Sequence, residues 1–93
     1  GVDIIACLSV NDVFVMTAWG KDQNVGESIE MLADGSAALI KKLGTVLDLT
    51  DRGLGVRSSR YSMIVDDGVV TTINLEDGGA YEVSGADTIL SQL

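Results

Sequence analysis

The sequence predicts a small α/β domain whose elements follow the order βαβα, a loop, then ββα. Three features carry this prediction. An apolar run stands beside a helix-start signal near the N-terminus, an Asp-Gly turn separates two β-rich runs, and apolar residues recur with helical spacing at the C-terminal end. Ninety-three residues are enough for one small domain, so residues 1–93 are expected to belong to a single domain.

The first half of the chain has the spacing of a parallel strand–helix–strand unit. The apolar run Ile4–Val10 favours a strand buried on both faces. The pair Asn11-Asp12 is a turn and N-cap signal, which predicts a helix over residues 12–22. A second strand at Ile29–Ala33 would complete a right-handed crossover.

A second helix is predicted over residues 36–43. Asp34 is placed to cap its start, and Gly44 provides the C-terminal stop. The stretch Thr45–Ser59 carries two glycines and two arginines, which predicts mainly loop around a short segment, Val46–Leu49.

The last third predicts a hairpin and a terminal helix. The runs Tyr61–Asp66 and Val69–Leu75 flank Asp67-Gly68, the strongest short hairpin signal in the chain. Ser84 and Asp87 resemble a capping box, and an apolar i, i+3, i+4, i+7 pattern follows, so a helix is expected over residues 84–92.

Composition excludes several classes of function. A net charge of −8 argues against nucleic acid or an anionic membrane as a general partner. One cysteine and no histidine exclude an intrachain disulfide and a Cys/His zinc site, and no bound metal or cofactor is expected. No apolar run approaches the ~18–20 residues of a membrane span, and residues 1–8 are too short and too acidic for a signal peptide. These features favour a cytoplasmic location, with an organelle left open.

Several separate blocks resemble one enzyme family, the type II (peroxiredoxin-5-like) peroxiredoxins. The blocks are GVDIIACLSVNDVFVMTAWGK, MLADGSAALIKKLG, RSSRYSMIVDDGVV and AYEVSGADTILSQL, and together they span nearly the whole chain. The resemblance implies a thioredoxin-like fold. It also implies that residues 1–93 are the C-terminal part of one such domain, without its first strand and the helix that carries the nucleophile.

The resemblance implies a thiol-dependent peroxidase that reduces hydrogen peroxide and alkyl hydroperoxides through a cysteine sulfenic acid. The family's nucleophile lies in a P-x-x-x-T-x-x-C motif. This sequence has no proline, and the residue three positions before Cys7 is Ile4. The nucleophile is therefore expected upstream of Gly1, and the 93-residue chain alone is expected to be inactive. The implied partners are a hydroperoxide, a reductant (glutaredoxin, glutathione or thioredoxin) and a second copy of the chain in a homodimer.

Arg60 matches the family's active-site arginine, which donates hydrogen bonds to the peroxide oxygens. A guanidinium stays charged, lowers the pKa of a neighbouring thiol and stabilises negative charge on a leaving oxygen. The alternative is a strand-end arginine paired with a surface carboxylate. Arg57 and Arg52 are interpreted as salt-bridge or loop-bracing residues.

Cys7 has two interpretations. As a small apolar residue in a buried strand it is inert packing, which is the favoured interpretation. Some members of the family carry a resolving or auxiliary thiol in this strand, and ACLSVND matches that position. A C-terminal resolving cysteine is not found in GGAYEVSG.

The remaining candidates have structural interpretations. Three aromatic residues are candidates either for core packing or for lining an apolar substrate mouth or a dimer contact: Phe14, Trp19 and Tyr61. Core packing is favoured for Phe14, and partial exposure is expected for Trp19. The acidic residues near the hairpin turns are interpreted as solvated turn residues: Asp66, Asp67, Glu76 and Asp77.

A competing function belongs to another class: a non-catalytic acidic binding module derived from a peroxiredoxin. Its loop over Arg52–Arg60 would bind an anion or a partner. The mass of the native protein discriminates between the two, because the module would run near 9.7 kDa and the enzyme would be clearly heavier.

Overall fold

The computed structural model describes residues 2–93 and divides the chain into two compact units. One unit ends at Ser58 and the other spans Ser59–Leu93. The strands form three two-stranded sheets. Within residues 2–93, no helix is long and apolar enough to cross a membrane.

The first unit begins with the predicted strand–helix–strand and continues into a hairpin. Its elements are β1 (Ala6–Ser9), α1 (Val13–Asp22), β2 (Glu30–Ala33), α2 (Ala38–Leu43), β3 (Val46–Leu49), a 3₁₀ turn (Thr50–Arg52) and β4 (Gly55–Ser58). β1 and β2 pair in parallel, with Cys7 opposite Met31, as the spacing predicts. β3 and β4 pair antiparallel.

Acidic side chains start both helices of this unit. Asp12 Oδ1 accepts a hydrogen bond from the amide of Val15 at 2.8 Å, the geometry of an N-cap. At α2 the carboxylate of Asp34 accepts from the amides of Leu39 and Ile40, at 3.1 and 3.0 Å. Gly44 ends α2 with a φ of 76°, a left-handed conformation that favours glycine. The predicted helix signals at Asp12, Asp34 and Gly44 are confirmed.

The segment predicted as a loop, residues 45–59, is instead a hairpin. β3 and β4 pair from Val46 with Ser58 to Leu49 with Gly55. Gly53 and Gly55 have positive φ values of 76° and 70°, so these glycines make the turn between two strands. In the sequence these glycines suggest irregular backbone, whereas in the structure they lie where the chain turns between two short antiparallel strands.

The core of the first unit is small and sits beside α2. Val10, Ala37 and Ile40 form it, with Leu8 and Val56 packed against it. On α1 the buried residues are Met16 and Gly20, one turn apart. An added Cβ at Gly20 would lie 3.1 Å from Met31 Cγ, so the glycine allows α1 to approach β2 closely.

Two expectations about burial are wrong. Phe14 is 81% exposed, not in the core. It lies two residues from Met16, about 200° around the helix, and so points away from the buried side. The run Ile4–Val10 is not a strand buried on both faces. β1 is only four residues long and half-buried, and Ile4 and Ile5 precede it with exposures of 64% and 57%. Trp19 is 43% exposed, which confirms its predicted partial exposure.

The second unit is the predicted hairpin followed by a short helix. It contains β5 (Tyr61–Asp66), β6 (Val69–Leu75) and α3 (Ala86–Ser91). Asp67 and Gly68 have φ values of 51° and 78°, the positive values that a type I′ turn requires. The register runs from Tyr61 with Leu75 to Asp66 with Val69, with an irregularity at Ile64 and Val65. The hairpin turn at Asp67-Gly68 is confirmed.

Candidate functional site

Arg60 stands at the open end of the β5–β6 hairpin, one residue before β5. Its carbonyl oxygen accepts a hydrogen bond from the amide of Glu76 at 3.0 Å, which continues the pairing of Tyr61 with Leu75 by one step. The backbone of Arg60 is therefore held by the sheet while its side chain is exposed. A side chain that is exposed while its backbone is held by a sheet is well placed to bind a ligand.

The guanidinium of Arg60 contacts an aromatic ring. Its Cζ lies 4.8 Å from the centroid of the Tyr81 ring, within the range of a cation–π interaction. Tyr81 is 64% exposed, and a pair at such a site contributes about 0.5–1 kcal/mol. The sequence indicates no role for Tyr81, because the two residues are twenty-one positions apart.

Glu76 is the most extensively hydrogen-bonded side chain of the second unit. Its carboxylate accepts from the amides of Glu82, Val83 and Ser84 at 2.8–3.0 Å and from Ser84 Oγ at 2.6 Å. Only 4% of the residue is exposed. A buried carboxylate requires such donors, because it has lost its water.

The ionised form of Glu76 is strongly favoured. Burial raises the pKa of its carboxyl, but the hydroxyl of Ser84 and the amides of Glu82, Val83 and Ser84 outweigh burial and lower the pKa from 4.5 to about 2. Glu76 thus carries a negative charge at neutral pH, and that charge fixes the segment that follows Tyr81.

Two predictions in this segment are wrong. Glu76 is not a solvated turn residue, whereas Asp66, Asp67 and Asp77 are exposed as expected. Ser84 does not form a capping box with Asp87, since its hydroxyl donates to Glu76. Gly85 is the N-cap of α3, without a side-chain cap hydrogen bond.

Arg57 braces a loop, which confirms that interpretation. Its Nε donates to the carbonyl of Leu54 at 2.7 Å, and its Nη1 donates to Val10 O and Asn11 Oδ1 at 2.9 and 3.2 Å. The side chain thereby ties β4 to the end of β1. Arg52 ends the 3₁₀ turn and is exposed.

Cys7 lies in the first unit, on β1, and its side chain is half-buried. Burial raises the pKa of its thiol above 9.0. At neutral pH the residue is therefore the thiol rather than the nucleophilic thiolate, which supports the packing interpretation. Residues 2–93 contain no cluster of three or more potential metal ligands.

Comparison with known proteins gives one consistent family. The model of the Redoxin family matches residues 1–90. Peroxiredoxin-2E, chloroplastic, of Arabidopsis thaliana is 52% identical over 95 residues, which cover 100% of this chain and 41% of that protein. Peroxiredoxin-2B of the same plant is 52% identical over 93 residues, covering 100% of this chain and 57% of that protein.

A solved structure agrees with these relatives. The crystal structure of reduced Prx3 from Vibrio vulnificus in complex with H2O2 is 56% identical and superposes with a TM-score of 0.91, over 99% of this chain and 57% of that one. The predicted thioredoxin-like peroxiredoxin fold is thereby confirmed. The chain spans about half the length of the curated relatives it matches.

The depressed pKa of Glu76 predicts a pH dependence of stability. Because the folded pKa of about 2 lies below 4.5, the contribution of Glu76 is fully present above pH 4.5 and is lost as pH falls towards 2. Glu76→Gln removes the charge and turns an NH2 donor towards other donors, so it should destabilise most at neutral pH. Urea denaturation from pH 7 to 2 should show the wild type and Glu76→Gln converging in acid. The exposed Glu82→Gln is the matched control, and a wild-type–variant difference that stays constant with pH would contradict the prediction.

Cys7 should react slowly with a thiol reagent in the native protein and quickly after unfolding, since its half-buried thiol resists ionisation. Peptide-resolved mass spectrometry of labelling at pH 8 measures this residue separately from any other cysteine. Equal rates in the native and unfolded protein would refute the packing interpretation and favour an auxiliary redox role.

Proposed function

Because the chain belongs to the redoxin family, among its type II peroxiredoxins, we propose that the full-length protein is a thiol-dependent peroxidase that reduces hydrogen peroxide and alkyl hydroperoxides. The nucleophilic cysteine lies upstream of Gly1 in this proposal, since Cys7 lacks the family's threonine three residues before it. Residues 1–93 alone would then be inactive.

Each turnover reduces one peroxide molecule and oxidises two thiols of the reductant. The thiolate sulfur attacks one peroxide oxygen, an S–O bond forms and the O–O bond breaks. The cysteine becomes a sulfenic acid, and the departing oxygen leaves as an alcohol or water after it takes up a proton. Two thiols of an external reductant then return the cysteine to the thiol, with release of water and formation of a disulfide.

Arg60 is assigned the electrostatic part of this reaction. The observation that supports the assignment is an exposed guanidinium on a backbone that the β5–β6 pairing holds in place. Its N–H groups would donate to the peroxide oxygens, and its charge would favour both the thiolate and the developing negative charge on the leaving oxygen.

The partners follow from the same proposal. The reductant is a thiol donor of the glutaredoxin, glutathione or thioredoxin class, and the active species is a homodimer with contacts from the start of α1 and from residues 52–59. Exposed apolar side chains at Val13, Phe14 and Val15 support the first of these contacts. The location is the cytoplasm or an organelle, and the matched plant peroxiredoxin-2E is chloroplastic by name.

Arg60→Ala should lower the rate constant of the full-length protein with H2O2 by about 10²–10³-fold, the usual effect of removing a donor to developing negative charge. Stopped-flow measurement of peroxide consumption with excess reductant gives this rate. Lys42→Ala, which removes an exposed cation outside the proposed dimer contacts, is the matched control and should react like the wild type. An unchanged rate in Arg60→Ala would exclude the assigned role of Arg60.

A further inference from the structure

The ring of Tyr81 is near two groups, the guanidinium of Arg60 and the backbone of Gly85. Arg60 Cζ is 4.8 Å from the ring centroid. At the phenol end of the ring, a Cβ added to Gly85 would lie 3.2 Å from Tyr81 Oη and 3.6 Å from Tyr81 Cζ. Gly85 therefore leaves the space that the phenol end of the ring occupies, and a larger residue would press on it.

Burial does not explain the place of this ring. Tyr81 is 64% exposed, so it contributes little to a core. Its contact is instead with a charged side chain that is also exposed. An exposed arginine ordinarily samples many rotamers, and a ring over its guanidinium restricts them.

Glu76 holds both ends of the Arg60–Tyr81 contact. Its amide donates to the carbonyl of Arg60 at 3.0 Å. Its carboxylate accepts from the three amides that follow Tyr81, those of Glu82, Val83 and Ser84. Glu76 thus connects the backbone of Arg60 to the loop that follows Tyr81, and the Tyr81 ring in turn contacts the guanidinium of Arg60.

The contact leaves the arginine able to bind an anion or a peroxide. A ring face offers the guanidinium no lone pair, so its N–H groups are not consumed by a strong acceptor. A guanidinium that is oriented in advance loses less freedom when it donates to a ligand.

We propose that Tyr81 is a positioning residue, which holds the guanidinium of Arg60 in the orientation that meets the peroxide oxygens, with Glu76 and Gly85 fixing the ring. The inference rests on the proposed function, in which Arg60 donates hydrogen bonds to the peroxide. It adds that the aromatic ring at position 81 acts on the rate only through Arg60.

The test is a double-mutant cycle in the full-length protein, with the second-order rate constant for H2O2 as the measurement. Tyr81→Ala should lower the rate constant by about two- to fivefold, the size of effect that an exposed cation–π contact supports. Tyr81→Phe keeps the ring and should react nearly as fast as the wild type. In an Arg60→Ala background, Tyr81→Ala should cause no further loss.

The outcomes separate the two claims. An Arg60→Ala variant with the wild-type rate overturns the proposed function and the inference with it. If Arg60→Ala is slow but Tyr81→Ala reacts like the wild type, or causes the same loss in both backgrounds, the inference alone is overturned. Circular dichroism checks the fold of each variant.

Gly85→Ala provides a second route that keeps the loop sequence otherwise intact. The added methyl group would contact the phenol end of Tyr81, so Gly85→Ala should lower the rate constant of the otherwise wild-type protein. In a protein that already carries Tyr81→Phe and Arg60→Ala, Gly85→Ala should cause no further loss. An equal loss in both backgrounds would show that Gly85 acts through the fold and not through the ring, and would overturn the inference.

Discussion

The buried carboxylate of Glu76 is the constraint on which the arrangement around Arg60 depends. A carboxylate that is only 4% exposed must find donors within the protein, and three successive amides and a hydroxyl supply them. Successive amides that point at one anion fix the backbone of the segment that carries them. The same residue pairs through its amide with Arg60, so a single position connects the end of the hairpin to the loop that bears Tyr81.

This arrangement distinguishes the backbone that the hairpin holds in place from the side chain that it leaves exposed. The β5–β6 pairing and the hydrogen bonds of the Glu76 carboxylate together hold the backbone of the hairpin and of residues 82–84. The guanidinium of Arg60 is exposed at the end of that framework and lies 4.8 Å from the centroid of the Tyr81 ring. The side chain of Arg57, in the first unit, differs from that of Arg60, because all of its described hydrogen bonds go to groups of the protein itself. Two arginines three residues apart thus differ in what surrounds their side chains.

Local signals made much of the fold predictable. Asp12 and Asp34 start helices because a short carboxylate reaches free amides in the next turn, and Asp67-Gly68 turns the chain because both residues tolerate positive φ. Only the resemblance to a family predicts a role for Arg60, since an exposed arginine at a strand end has no local sequence pattern that indicates chemistry. The predicted single domain and the roles of Arg60 and Cys7 remain predictions.

Each failure has its own physical cause, and in each case the residue type alone does not reveal it. Glu76 is an ordinary turn acid by type, and only the return of residues 82–84 makes it a buried anchor. The β3–β4 pair depends on how glycines at 53 and 55 turn the chain, which composition alone does not distinguish from a loop. Phe14 is exposed because the buried side of α1 is set by Met16 and Gly20 facing β2, and hydrophobicity alone does not reveal that side.

Hydrogen exchange of individual amides tests the central role of Glu76 most directly. In the full-length protein at neutral pH, the amides of Glu82, Val83 and Ser84 should be protected in the wild type and should exchange much faster in Glu76→Gln, while those of the β5–β6 pairing keep their protection. The amide pattern can be followed by NMR in both proteins under the same conditions. Equal protection of residues 82–84 in the two proteins would contradict the account, because the carboxylate would then not be what holds that segment.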